Sequence, residues 1–532
     1  MRAHTPGSRS RSILAGATAL ALTSGSAHAG GLFLPGSGPV STGRAGASVA
    51  SVDDPSAIGL NPAGLAKTRG TVVHVGAALI SYHQTVGRFG VYEDSPDATL
   101  AWEGQPYPSV SDTSKPPIGI GPFQAVPVIA VSSDLGGKIK GLTVAAGVFA
   151  PNAYPVRAMG ADYVLEDPST PPPPTRYDTV EQEAAVVLPS IAAAYRVTDK
   201  LDVGARFSAG FAHLKARTYV WGLANFEEWA GKDGEFSVDV KDSFVPTFAL
   251  GATFRPTPAI ELGAQFQSPV HVAAKGTGSA RTGSGNEFNG MPVTVVPNNE
   301  TPLCEAGGTM DAFKACVNLS LPMMATVGGR YIVRDAGGGQ VADVELDVQY
   351  EAWSGASDYD VIVDGIAAID LGPPPIGLAL QPTKIRHNLK DVISVRLGGS
   401  WQQPVAGKLL TLRGGVAHDT AAAKDGWQRA DFDGAARWTM TAGASIVVGK
   451  VRIDVGGGHV YEGTRVQGTG CNPTAIGQGC GPGGMPLPVA DRVGPDPIQP
   501  TSDAGGQQES PFTHGAIKSG YNLLMLGVTT WF

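Results

Sequence analysis

The sequence predicts an all-β fold: a closed, 14-stranded antiparallel transmembrane β-barrel (71–532) with an N-terminal plug, or hatch (30–70), in its lumen. Three observations predict it. Apolar and polar residues alternate through strand-length segments, short and long connections join these segments in turn, and the chain ends in such a segment. There, Leu524, Leu526 and Val528 share one apolar face at period two, and an apolar face at a terminus has to be docked into a larger structure.

Residues 1–29 are predicted to be a secretory signal peptide. A basic start is followed by a short apolar stretch (13–22) and by an A-x-A cleavage site at 27–29. The apolar stretch is too short to span a bilayer, and no later run reaches the roughly 18 apolar residues of a membrane helix. We therefore expect a mature chain that begins at Gly30 and an outer-membrane location.

The hatch is predicted from residues 30–70, which show no strand pattern. Small residues alternate with turn formers, while Leu32, Phe33, Ile58 and Leu65 remain apolar. Such a stretch suits a compact plug within a lumen. The alternative is a flexible periplasmic tail, which composition alone leaves open.

Fourteen segments are predicted as strands. In the ninth of them, Val344, Leu346 and Val348 face one way, and Asp343 and Glu345 face the other. The charged side is expected to face the lumen and the apolar side the lipid. The fourteen segments are 71–84, 123–133, 139–150, 184–196, 200–220, 243–255, 259–274, 321–334, 340–353, 391–402, 408–419, 435–448, 450–463 and 520–532.

Connection lengths and aromatic residues indicate how the barrel lies in the membrane. Connections such as 256–258 and 335–339 are short, whereas those on the opposite side are long, as in 464–519. This pattern is typical of periplasmic turns opposite outer loops. A girdle of aromatic side chains is expected at the periplasmic interface, where strand ends carry Tyr195, Phe254, Tyr331, Trp401 and Phe532.

Composition and motifs narrow the function. A net charge of −8 argues against a nucleic-acid partner. The absence of G-x-S-x-G, P-loop and H-E-x-x-H motifs argues against an enzyme, and no cofactor is expected. The alternatives to transport are a plugged porin, a structural or adhesive outer-membrane barrel and an outer-membrane hydrolase. We expect a monomer in contact with outer-membrane lipid, inserted by the barrel assembly machinery through its C-terminal strand.

Four cysteines lie in two predicted outer loops. Cys304 with Cys316, and Cys471 with Cys480, are close in sequence, and an even count in an exported chain predicts two local disulfides. A metal site is the rival interpretation. No histidine lies at ligand spacing near these cysteines, so we expect no metal.

Several motifs resemble the family of outer-membrane long-chain fatty acid transporters, which also contains aromatic-hydrocarbon uptake channels (FadL/TodX type). They are STGRAGASVA at 41–50, DDPS at 53–56, the hatch motif Asn61, Pro62, Ala63 and Gly64, and YEAWS at 350–354. The resemblance implies passive transport of hydrophobic molecules, foremost long-chain fatty acids. It also implies capture by outer loops, binding in the lumen, movement of the hatch and lateral release through the wall beside a distorted third strand.

Two sets of residues are candidates for that mechanism. Gly147, Pro151 and Pro189 mark a defect in the wall between the third and fourth strands, since proline removes a ladder hydrogen bond. A bulge that only bends the strands is the alternative. The candidate ligand-binding residues lie on the polar faces of their strands and can bind a carboxylate in bidentate fashion, unless they pair with lumenal acids: Arg206, Arg396 and Arg413.

Overall fold

The computed structural model shows fourteen long strands that form one closed ring. It describes residues 31–88, 91–92, 100–116, 119–151, 153, 156–167, 169–220, 230–288, 290–298, 303–304, 313–369, 376–424, 427–432, 434–467 and 515–532. The predicted signal peptide (1–29) and the Cys471–Cys480 pair lie outside these residues.

The barrel strands are numbered here in chain order. They are β1 (Thr71–Arg88), β2 (Phe123–Ser133), β3 (Leu142–Phe149), β4 (Glu181–Thr198), β5 (Leu201–Val220), β6 (Gly234–Thr257), β7 (Ile260–Gln267 and Val270–Thr282), β8 (Phe313–Leu321 and Met324–Arg334), β9 (Gln340–Glu351), β10 (Val392–Val405), β11 (Lys408–Asp419), β12 (Arg437–Val448), β13 (Val451–Gln467) and β14 (Gly515–Trp531).

Each strand pairs antiparallel with its neighbours in sequence, and β1 pairs with β14 from Val72–Trp531 to Arg88–Gly515. This pairing closes the ring, so the prediction of a closed 14-stranded antiparallel barrel is confirmed. Some predicted bounds were wrong. For example, β6 begins at Gly234 instead of 243, and β14 begins at Gly515 instead of 520.

The two faces of the strands differ as a membrane barrel requires. On β9, Val344 and Leu346 are about half exposed on the outside, whereas Glu345 and Asp347 are fully buried inside. Apolar side chains therefore face the lipid, and charged side chains face the lumen. The five aromatic residues of the predicted girdle all lie on the outer surface, exposed by between 43% (Phe254) and 71% (Phe532).

The outer connections carry structure of their own. A small sheet is built from Glu287–Phe288, Met291–Pro297, Gly365–Ile369 and Ile376–Ala379. Asp358–Val363 pairs with the first part of β8. Trp353 and Phe432 pack together beneath these connections, with ring centroids 5.2 Å apart. Among the residues described, no helix is long and apolar enough to cross a membrane.

Candidate transport site in the lumen

Residues 31–70, called here the N-terminal segment, lie against the lumenal faces of the strands. The segment contains three short helices, Pro39–Thr42, Pro55–Ile58 and Pro62–Lys67, and most of its side chains are buried. Its backbone approaches strands in different parts of the ring, with Pro62 close to Gly204 on β5 and Pro39 close to Gly456 on β13.

Glycines on the strands make this close approach possible. A Cβ atom at Gly204 would lie 2.4 Å from the Pro62 carbonyl carbon, and one at Gly251 would lie 2.0 Å from Oδ1 of Asn61. Six further lumenal positions leave only 2.3 to 2.7 Å between a Cβ atom and the N-terminal segment: Gly263, Gly328, Gly398, Gly415, Gly456 and Gly527. Any larger residue at these positions would push the segment away.

An ion-pair cluster anchors the segment to β9. The Arg44 side chain is 2% exposed, and its Nη1 and Nη2 donate to Asp343 Oδ1 at 2.6 Å and to Glu345 Oε2 at 3.0 Å. The other oxygen of Glu345 accepts the Ala50 N–H at 2.7 Å. Asp343 and Glu345 on β9 therefore bind the N-terminal segment through the Arg44 side chain and the Ala50 N–H group.

The hatch motif organises the turn beside β6. Asn61 caps the Pro62–Lys67 helix, because its Oδ1 accepts the Ala63 N–H at 3.1 Å. Its Nδ2 donates to the carbonyls of Val49 at 2.7 Å and Ala252 at 3.2 Å. A Cβ atom at Gly64 would lie 2.7 Å from the Val52 carbonyl oxygen, so glycine is needed there. The motif thus fixes the segment internally and ties it to the wall.

A cavity of about 100 Å³ lies between the N-terminal segment and the wall. Its apolar lining comes from both sides and includes Phe33, Leu34, Leu60, Val49, Phe149, Pro151, Leu188 and Met324. Its polar lining includes Gln265, Gln267, Thr326, Asp347, Gln349 and Arg396. The lining therefore offers a ligand both apolar contacts and hydrogen-bonding groups.

Arg206 lies next to this cavity and is 2% exposed. Its Nη1 donates to the Ile58 carbonyl at 2.8 Å, its Nη2 donates to Oε1 of Gln267 at 3.0 Å, and its guanidinium lies 4.7 Å from the centre of the Phe149 ring. Its Nε has no hydrogen-bond partner, and no carboxylate pairs with it within the described part of the chain.

Arg396 lines the cavity directly and is 6% exposed. Its register partner on β9 is Asp347. However, Oδ2 of Asp347 accepts the N–H groups of Ser48 at 2.8 Å and Val49 at 3.0 Å. Among the residues that the structure covers, Arg396 forms no ion pair, and its Nε lacks a partner.

Arg413 lies apart from the other two arginines. It donates to Ser445 Oγ on β12, and Ser445 in turn donates to Asp454 on β13. Arg413 is not among the residues that line the cavity. That any of the three arginines binds a ligand stays a prediction.

Beside the cavity, the hydrogen-bonded ladder between β3 and β4 is continuous along β3 and is interrupted after the last residue of β3. Gly147 pairs with Ser190, and Pro189 pairs with Val148, so neither leaves a gap at its own position. β3 ends at Phe149, two residues before Pro151, and among the described residues pairing with β4 resumes at Val156–Ala158. Between them, the described residues Ala150, Pro151 and Ala153 have no ladder partner on β4.

An apolar groove of about 610 Å³ lies on the outer surface of the same strands. Gly147, Val148 and Pro189 line it, together with Ile191 and Phe207, which are 64% and 48% exposed. The lumenal cavity and the outer groove therefore lie on opposite sides of β3 and β4.

A disulfide and buried ion pairs hold the outer loops together. Cys304 and Cys316 form a disulfide with their Cα atoms 5.9 Å apart. Asp178 pairs with Arg429, and Oδ2 of Asp431 lies 3.0 Å from His387 Nε2. Burial raises the pKa of Asp178 to about 6. No group of three or more possible metal ligands occurs among the residues described.

Sequence reasoning missed several residues of this site. Phe149, Gln267 and Asp347 line the cavity, but nothing in the sequence separates them from other lumenal residues. The lumenal glycines, in contrast, can be recognised in the sequence, because mid-strand glycines such as Gly251 and Gly415 lie on the polar, lumen-facing side of their strands. Glycine at such positions often marks a close backbone approach.

Comparisons with known proteins agree with this architecture. The family model described as outer membrane protein transport protein (OMPP1/FadL/TodX) matches residues 20–467. A Pseudomonas aeruginosa FadL homologue has a similar structure, with a TM-score of 0.64 and 13% identity over 94% of this chain and 100% of that chain. The Ralstonia pickettii toluene transporter TbuX gives a TM-score of 0.56 and 17% identity over 94% and 99%. No curated protein sequence matches the chain.

Proposed function

Because the chain belongs to the OMPP1/FadL/TodX family of outer membrane transport proteins, we propose that it carries long-chain fatty acids across the outer membrane without ATP. Family membership itself establishes transport of hydrophobic compounds at the outer membrane, and it sets aside the hydrolase alternative. The choice of fatty acid rests on one observation: among the residues described, Arg206 and Arg396 are buried at the lumenal cavity and form no ion pair with a carboxylate.

A buried cation without a counterion is costly, and a ligand carboxylate would supply one. Arg396 lines the lumenal cavity, and Arg206 contacts Gln267 and Phe149 of its lining; the Nε group of each has no partner among the residues that the structure describes. Charge-assisted hydrogen bonds to a carboxylate contribute about 1.5–3 kcal/mol each. The acyl chain contributes about 0.8 kcal/mol for each CH₂ that it buries. The two contributions together favour a fatty acid over either a neutral lipid or a small acid.

Cavity size supports a movable hatch. A cavity of ~150 Å³ holds one benzene molecule, and the lumenal cavity of about 100 Å³ is smaller. A long acyl chain therefore needs more room. Phe33, Leu34 and Leu60 line the cavity and belong to the N-terminal segment. Movement of the segment would enlarge the cavity without opening the barrel.

Lateral exit is the route that the wall supports best. The cavity includes Pro151, where the β3–β4 ladder is interrupted, and the apolar groove lies outside the same two strands. A ligand that passes Phe149 and Leu188 would move from one apolar surface to another. A vertical exit would instead lead past the buried ion pairs that anchor the N-terminal segment.

Ligand binding tests the substrate class. Saturable binding of oleate to the purified barrel should weaken about 10- to 150-fold in Arg206→Met and Arg396→Met, because each variant loses charge-assisted bonds. Arg413→Met is the matched control: Arg413 is lumenal but donates to Ser445 on β12, whereas Arg206 contacts Gln267 and Phe149, which line the cavity. Equal oleate affinity in the wild type and in both cavity variants would contradict the proposal.

An aromatic hydrocarbon is the second candidate. The cavity is closer in size to a benzene ring than to an acyl chain, and the similar Ralstonia structure is that of a toluene transporter. A neutral ring makes no use of a cation's charge, so toluene binding should survive both arginine substitutions. Tight toluene binding together with absent oleate binding would favour this candidate.

A cross-link tests the exit route. Ala150→Cys with Val187→Cys, in a variant whose native cysteines are replaced by Ser, would join β3 to β4 across the interruption. It should block uptake while oleate binding persists. The control is Ala145→Cys with Ala192→Cys, which joins residues already paired in the ladder. Wild-type uptake through the first cross-linked barrel would show that the ligand leaves by another way.

A further inference from the structure

The outer surface of the barrel carries a row of basic side chains across three neighbouring strands. His213 on β5 is the register partner of Lys241 on β6, and Lys241 is the register partner of Lys275 on β7. Lys241 and Lys275 are exposed, and the His213 side chain is 29% exposed. Neighbouring strands lie about 4.8 Å apart, so the three groups span roughly 10 Å at one height.

The height of the row matches the outer membrane–water interface. On the same outward face, Phe207 and Phe211 of β5 and Phe248 of β6 lie below it, each close to half exposed. His213 follows the periplasmic start of β5 at Leu201, and a rise of about 3.3 Å per residue with a tilt of about 40° puts it roughly 30 Å up. The apolar band of such barrels is about 25 Å tall. The row therefore lies at the level of the outer-leaflet headgroups.

The acids near the row are already engaged. Asp239 lies 2.7 Å from His213 and 3.7 Å from Lys215, and the carboxylate of Asp242 accepts two backbone N–H groups. Within the described ranges, no carboxylate pairs with Lys241 or Lys275. Like charges that face each other across a ladder are destabilising, so an anion bound between the two lysines would relieve the repulsion.

We propose that Lys241 and Lys275 bind the phosphate of an outer-leaflet lipid headgroup, beside His213, which stays paired with Asp239. Lysine ammonium groups bind phosphate as point charges on flexible stems, so both can reach one phosphate from neighbouring strands. The acyl chains of that lipid would lie along the phenylalanine surface below. This site is outside the lumen and independent of the transported ligand.

Native mass spectrometry of the full-length barrel in detergent, titrated with lipid A that carries both phosphates, tests the site. Lys241→Ser with Lys275→Ser should weaken binding about 30-fold, which corresponds to about 1 kcal/mol for each lysine. The single variant Lys275→Ser should weaken it about 5-fold and serves if the double variant does not fold. Lys518→Ser is the matched control, because Lys518 is an exposed lysine on β14 whose register partners are Thr85 and Thr464.

Two further arms separate the phosphate from the rest of the lipid and from free phosphate. Lipid A without phosphates should bind the wild type and the double variant equally. Inorganic phosphate alone, at millimolar concentration, should leave bound lipid A in place. Unchanged affinity of the lysine variants for lipid A would overturn the proposal, and so would displacement of the lipid by inorganic phosphate.

Discussion

Arg44 offers the sharpest test of how the N-terminal segment is held. Arg44→Met should release the segment from β9 while the barrel stays closed. Removing one partner of a buried ion pair costs about 3–5 kcal/mol. We expect the lower end, about 3 kcal/mol, because Arg330 still pairs with Asp343, and the Ala50 N–H still bonds to Glu345. The fraction of molecules with an undocked segment should therefore rise about 150-fold.

Hydrogen exchange measures this release directly. The N–H groups of Ser48, Val49 and Ala50 are bonded to carboxylates on β9, so their exchange should accelerate in Arg44→Met. Exchange along β1 and β14, where the barrel closes, should stay unchanged. The barrel that has lost the anchor should also conduct small polar solutes more readily in planar bilayers.

A matched control separates this anchor from surface ion pairs. Arg281 pairs with Glu235, but its side chain is 54% exposed, and exposed pairs contribute only about 0–1 kcal/mol. Arg281→Met should therefore leave exchange in the N-terminal segment unchanged. Arg44 is not the anchor if the N–H groups of residues 48–50 exchange at the same rate in Arg44→Met and the wild type, or if Arg44→Met and Arg281→Met accelerate that exchange equally.

Three further predictions concern other parts of the molecule. Peptide mapping without reduction should recover Cys304 joined to Cys316, and free thiols at these positions would contradict the disulfide. For so small a ring, the disulfide should stabilise the folded protein by about 3 kcal/mol at most. Gly251→Ala should lower the thermal unfolding midpoint, because its Cβ would meet Asn61, whereas Gly355→Ala has open space and should not. The pKa of Asp178 is raised by burial to about 6, so the folded outer loops bind a proton between about pH 4 and 6 that the unfolded loops do not. Acidification from pH 7 to 5 should therefore slow amide exchange in these loops once intrinsic rates are corrected, and Asp178→Asn should abolish that dependence.

The strands could be predicted because the membrane imposes a simple rule on them. One face of each strand must be apolar, so alternation such as that of Val344 and Glu345 reports directly on the sides of the sheet. This requirement for an apolar face no longer applies where the strand extends beyond the bilayer. The outer parts of β6 and β14 were missed because neither face of a strand needs to be apolar in water.

The candidate site could be predicted only in part. Strand parity correctly places Arg206 and Arg396 on the buried face. Their partners depend on which strands lie side by side and on the path of the N-terminal segment, and neither is encoded in local sequence. The wall defect shows the same limit. Gly147 and Pro189 lie in a continuous part of the β3–β4 ladder, whereas the described residues without a ladder partner on β4, Ala150, Pro151 and Ala153, lie beyond them.

The contact between Asp347 and the N-terminal segment links the position of that segment to the availability of the Arg396 charge in the cavity. Register places Asp347 opposite Arg396, and an empty barrel would allow the two to pair. The N–H groups of Ser48 and Val49 instead bind Oδ2 of Asp347, and within the described part of the chain Arg396 forms no direct ion pair with Asp347. In the proposed transport cycle, a docked segment therefore favours a carboxylate on Arg396. Reciprocally, a bound carboxylate favours the docked segment, since coupling between two sites acts in both directions. When the segment moves away, Asp347 becomes free to pair with Arg396 and to displace the ligand headgroup, so the same movement that enlarges the cavity also weakens the hold on the acid.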